Sequence, residues 1–184
     1  MRMIAGVMKS TPKEWLPVLS HIQPPNLRRI NALIGEYNKI QQNQNLPIHE
    51  DVGDANQSRL ISRIARTAIA AMDEEFSLIG SWQQEWFAKQ NISTPYITHE
   101  PPGFHLPRKS WLELNRVRAQ RGRCAYAMHK WGKAPTSFCE CGAIGAVRRI
   151  VEECPRTAYS GKPEDFLTAT PESIAYLKSL NVCL

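Results

Sequence analysis

Leu27, Ile30, Leu33, Ile34, Tyr37 and Ile40 recur at intervals of three and four residues. A helix turns once in about 3.6 residues, so this spacing builds one apolar stripe and requires a surface to bury it against. Pro24-Pro25-Asn26 stands before the stripe as a stop and an N-cap, and the polar run from Gln41 to Pro47 ends it. Leu60, Ile61, Ile64, Ala65, Ala68, Ile69 and Met72 repeat the pattern, with Ser58 as cap. Further helices are predicted over 78–90, which carries Trp82, Trp86 and Phe87, and over 108–119, 124–131 and 146–154. The last begins at Thr170-Pro171-Glu172-Ser173. There threonine caps, proline takes the first helical position and glutamate sits at the positive end of the helix. Alternating strand patterns are nearly absent. The expected fold class is therefore mainly α, with short helices in two small modules and an irregular Cys-rich, zinc-knuckle-like loop.

The module boundary is read from prolines. Thr94-Pro95, Pro101-Pro102-Gly103 and Pro107 fall within 14 residues. Each proline removes a backbone donor and biases its predecessor toward extended backbone, so the stretch reads as a linker. It divides the chain into 1–94 and 95–184.

With 184 residues and 42 % hydrophobic content, one domain or two small ones can be built. No apolar run approaches the ~20 residues that span a bilayer. The first nine residues hold too short an apolar run for a signal peptide. A soluble intracellular protein with no membrane partner is expected.

Enzyme signatures are missing. There is no Gly-rich phosphate loop, no Gly-x-Ser-x-Gly and no His-Glu-x-x-His. No aspartate pair lies in the apolar strand context that two-metal polymerase chemistry needs. No residue is assigned a catalytic role.

Charge is local. The net charge is +6 and the pI about 9.2. Between Gly103 and Pro135 stand eight basic residues, Arg108, Lys109, Arg116, Arg118, Arg121, Arg123, Lys130 and Lys133, against one acid, Glu113. Trp111 and Trp131 fall in the same stretch. Cations neutralise phosphates and aromatic faces stack on bases, so RNA or DNA is the expected partner. The alternative is a solvated cationic face over an ordinary core.

The cysteines are Cys124, Cys139, Cys141, Cys154 and Cys183. An odd count without a signal peptide argues against a disulfide framework. Cys139-x-Cys141, followed after twelve residues by Cys154, offers three thiolates for zinc, which favours four ligands in a tetrahedron. No histidine lies between Cys141 and Cys154. His129, ten residues before Cys139, and Cys124 are the candidates to complete the set. The alternative is three unligated thiols. His21, His49, His99 and His105 are scattered and carry no ligand spacing.

Several of these elements combine into a family pattern. Leu106-Pro107-Arg108-Lys109-Ser110-Trp111, Leu114-Asn115-Arg116-Val117-Arg118, Gly122-Arg123-Cys124, Trp131-Gly132, Cys139-Glu140-Cys141-Gly142 and Cys154-Pro155 occur in that order. Near the start stand Lys9-Ser10-Thr11-Pro12, Trp15-Leu16-Pro17-Val18-Leu19 and Pro24-Pro25. This resembles the region after the polymerase domain of non-LTR (LINE-type, jockey-like) retrotransposon reverse transcriptases, apart from residues 50–95, where the likeness is vague.

The resemblance implies a thumb-side segment over 1–94 that follows a polymerase palm, then a basic helix, a Cys-rich knuckle and a C-terminal helix over 95–184. It implies nucleic-acid contacts by Arg108, Lys109, Arg116, Arg118, Arg121, Arg123 and Lys130, and zinc at Cys139, Cys141 and Cys154. The family's histidine ligand falls at Arg149, whose guanidinium has no free lone pair and cannot ligate zinc. The chain then reads as a nucleic-acid-binding fragment of an RNA-directed DNA polymerase without catalysis of its own. Two further readings are an inactive relic of a transposable element and a trans-acting subunit that joins the remainder of a split reverse transcriptase. If the first segment has lost helices it once packed against, Leu16, Leu19 and Ile22 should be exposed.

Overall fold

The structure, a computed structural model, describes residues 1–43, 45, 76–90 and 97–180. The stripe expected from Leu60 to Met72, its cap Ser58, and Cys183 lie outside these residues. The described residues form nine helices: α1 (Arg2–Ala5), α2 (Trp15–Ser20), α3 (Pro25–Gln42), α4 (Leu78–Gln90), α5 (Arg108–Arg118), α6 (Ala125–Lys130), α7 (Val147–Glu152), α8 (Glu164–Thr168) and α9 (Pro171–Ser179). Among them there is no strand, only one isolated antiparallel bridge between Phe138 and Ile144. The fold is mainly α.

Two units emerge: Met1–Ile22 together with Thr94–Leu184, and Gln23–Ser93. In the second, α3 lies against α4, and Asn26 Nδ2 donates to Glu85 Oε1 at 3.1 Å. Asn26 is therefore not the N-cap. Pro24 takes that position and Pro25 is the first helical residue, where a missing N–H costs nothing. Leu27, Trp82 and Trp86 are this unit's buried apolar residues among those described. The two tryptophans are four apart and share a helix face.

The larger unit is organised by α5. Trp111, Leu114 and Val117 from α5 meet Val147, Ile150 and Val151 of α7, Phe166 of α8, Ile174 and Leu177 of α9, and Cys124. The start of α9 is capped as its sequence predicts, with Thr170 Oγ1 accepting from Ser173 N at 3.3 Å.

This grouping differs from the division at residue 95 expected from the prolines, because Met1–Ile22 goes with the C-terminal segment. The reason is polar. The last carbonyls of a helix have no partner within it. Those of α1 are met by α5: Trp111 Nε1 donates to Ile4 O at 3.1 Å and Asn115 Nδ2 to Ala5 O at 2.8 Å. Arg108 reaches Ile4 O at 2.7 Å and also bonds Met3 O. Residues 108, 111 and 115 share one face of α5, so a single helix side grips the end of α1. The exposure expected at Leu16, Leu19 and Ile22 is not found. Leu19 is fully buried and the other two are half-buried.

Candidate metal centre and cationic surface

The loop between α6 and α7 is held by backbone bonds. Gly145 N donates to Ser137 O at 2.9 Å and Cys139 N to Ala143 O at 2.7 Å, flanking the Phe138–Ile144 bridge. Gly142 N returns to Cys139 O at 2.8 Å. This turn needs φ of +82° at Gly142, a left-handed conformation that glycine adopts without a Cβ penalty. Cys139 and Cys141 are thus carried on one tight turn. Cys154 arrives from the other side, just past α7, where its N–H donates to Arg149 O at 2.8 Å.

The sulfurs of Cys139, Cys141 and Cys154 lie within 4.8 Å of one another, and those of Cys139 and Cys154 are 3.8 Å apart. Two thiolates bound about 2.3 Å from a tetrahedral ion stand about 3.8 Å apart, so the spacing suits two ligands of one metal. The three cysteines are close enough to bind a metal ion. Among the described residues no fourth His, Cys, Asp or Glu joins them.

Neither substitute ligand completes the group. Cys124 is buried in the core with Trp111 and Val147, and a thiol so enclosed is taken up by packing. His129 is exposed in the last turn of α6. Arg149 directs Nη1 to Glu153 Oε2 at 3.2 Å, while its carbonyl accepts from Cys154 N.

The thiols sit in unequal surroundings. The Thr157 hydroxyl, with the N–H groups of Arg156 and Thr157, pulls Cys154 down to about 6. Thr157 has one hydroxyl hydrogen and also lies 2.8 Å from Ile150 O, so the N–H groups are the firmer part of this stabilisation. At Cys139 the Cys141 N–H works in the same direction. Desolvation and the neighbouring thiols outweigh it together, and the Cys139 thiol is raised. The partners that shape this site, Thr157, Arg156 and Tyr176, carry no motif. Arg156 pairs with Glu140 at 3.0 Å, and Tyr176 donates to Thr157 O at 2.6 Å. A cavity of about 670 Å³ opens beside Cys139, lined also by Phe138, Arg156, Thr157, Tyr176 and Leu180.

The expected phosphate contacts separate into two groups. Arg118 is only 5 % exposed. Its Nε donates to Phe166 O at 2.8 Å, and its terminal nitrogens bond Asn115 Oδ1, Pro102 O and Leu167 O. It also lies 5.7 Å from the centre of the Trp111 ring. Arg118 is thus a core residue whose donors are engaged inside the unit. Arg108 is exposed but engaged with α1, and Arg116 is half-buried. Lys109, Arg121, Arg123 and Lys130 are exposed. The cations of α5 are largely structural, because α5 is buried nearly all round. Those after it face solvent.

Comparison with family models, curated proteins and solved structures finds no match to this chain.

No described helix is long and apolar enough to cross a membrane.

Proposed function

We propose that the chain is a nucleic-acid-binding segment akin to the C-terminal region of non-LTR retrotransposon reverse transcriptases, with zinc at Cys139, Cys141 and Cys154 and no polymerase catalysis of its own. The observation that carries this reading is the gathering of three thiols from two separate elements at a spacing suited to one metal ion. Soft thiolates favour zinc over harder cations. The ion would be structural. It would tie the Cys139–Gly142 turn to the end of α7 and so fix the surface between them. Three protein ligands leave one position of a tetrahedron for water, which makes for weaker retention than a closed four-ligand site.

Exposed Lys109, Arg121, Arg123 and Lys130 supply the cations for RNA or DNA. The test is elemental analysis of the full chain, followed by binding of labelled RNA and DNA at several salt concentrations. About one zinc per chain and binding that weakens steeply with salt are expected. Changing Arg121, Arg123 and Lys130 together to glutamine should flatten that salt dependence. Protein that carries no zinc and binds neither polymer overturns the reading.

A further inference from the structure

We infer that the exposed rings of α6 and the cysteine turn, Tyr126, Trp131 and Phe138, bind single-stranded nucleic acid by stacking on its bases. This inference rests on the nucleic-acid reading above and narrows it to three exposed rings and one strand state.

The first observation is a contrast among tryptophans. Trp15, Trp82, Trp86 and Trp111 are all 6 % exposed or less, whereas Trp131 is 41 % exposed. Its place is set by the backbone. Gly132 N donates to His129 O and Lys133 N to Met128 O, with Gly132 at φ +68°, so α6 ends in a closed Schellman turn directly after Trp131. Tyr126 on α6 is 47 % exposed and Phe138 54 %. Ile144, the bridge partner of Phe138, is exposed too, and directly opposed residues point to the same side.

The second observation is charge. Over 121–146 the exposed cations are Arg121, Arg123, Lys130 and Lys133, and the one acid, Glu140, is engaged by Arg156. Lys130 is four residues from Tyr126 and shares its side of α6. Rings interleaved with cations match a polymer whose flat faces alternate with phosphates. A second protein would not call for so one-sided a charge.

The third step is steric. In a duplex, base faces are hidden in the stack, and protruding rings find only edges and backbone. Unpaired bases offer a free face to each ring.

The experiment is fluorescence anisotropy of the full chain, loaded with one equivalent of zinc. The probes are a labelled 20-nucleotide single strand, as RNA and as DNA, and the matching duplexes. Single strands should bind about ten-fold tighter than duplexes, and Trp131→Ala with Phe138→Ala should weaken single-strand binding about ten-fold or more. Both side chains are exposed, so the variant should keep the parent's thermal midpoint, and Trp131→Phe should retain most of the affinity. Equal binding of duplex and single strand, unchanged by the double substitution but lost on changing Arg123, Lys130 and Lys133 to glutamine, overturns the stacking inference and leaves the nucleic-acid reading standing. Failure to bind any nucleic acid overturns both and turns this face toward a protein partner.

Discussion

Arg118 Nε donates to the carbonyl of Phe166 at 2.8 Å, tying the end of α5 to α8 across 48 residues of chain. The same guanidinium serves Pro102 O and Leu167 O. A planar fork with five donors can satisfy several carbonyls at once, and a lysine ammonium cannot span them.

Arg118→Ala should therefore destabilise the larger unit by about 2–4 kcal/mol, because buried carbonyls are left without donors. Arg118→Lys should recover little of the loss. Lys109→Gln, on the exposed side of α5, should cost about 0.5 kcal/mol or less. Urea denaturation followed by circular dichroism measures all three. A stable Arg118→Ala protein with reduced nucleic-acid affinity would contradict the core role assigned to Arg118.

Gly6 ends α1 at φ +66°, with its N–H on Arg2 O at 2.8 Å, and a Cβ at that place would overlap Leu112. Gly6→Ala combines left-handed strain with overpacking, for an expected loss of about 1–3 kcal/mol. If the thermal midpoint is unchanged, α1 is not seated on α5 as described.

Metal loading should depend on pH. Zinc takes thiolates, so each protonated thiol must release its proton on binding. Cys139 is raised and releases one throughout the neutral range, while Cys154, at about 6, contributes only as pH falls toward and below that value. Zinc affinity should rise with pH, most steeply below pH 6. Competition with a chelating dye across pH 5–8 measures it. Cys154→Ser should remove the extra steepening below pH 6 together with most of the binding, and affinity that is flat with pH would exclude these thiols as ligands.

Burial, followed by the charge on Cys154, pushes the Tyr176 hydroxyl up to about 12. A folded value above the unfolded one means that the unfolded chain gives up this proton first. The stabilisation is complete below pH 10 and is lost as pH rises from about 10 toward 12. The denaturation midpoint should fall over that window, and less steeply in Tyr176→Phe, which has no proton to lose. Parallel curves for the two proteins would show that Tyr176 is not shielded.

Much of the helical content was legible because it rests on local rules. The stripe from Leu27 to Ile40 corresponds to α3, and Thr170-Pro171 marks the start of α9 through a bond only three residues long. The helices the sequence did not announce, α1, α2 and α8, run four to six residues. They are held by contacts from elsewhere, as α1 is by Arg108, Trp111 and Asn115.

The sequence by itself determined the helical class and the three thiols at a ligand-like spacing, since periodicity and residue chemistry act over a few positions. It could not separate cations that face solvent from cations spent inside. Arg118 and Arg123 look alike in a basic run, and one is buried under three carbonyls while the other is exposed. Nor could it exclude Cys124 from the thiol group or single out Trp131 among five tryptophans. Those outcomes depend on which side of each helix meets the core, and that is set by partners far away in the chain.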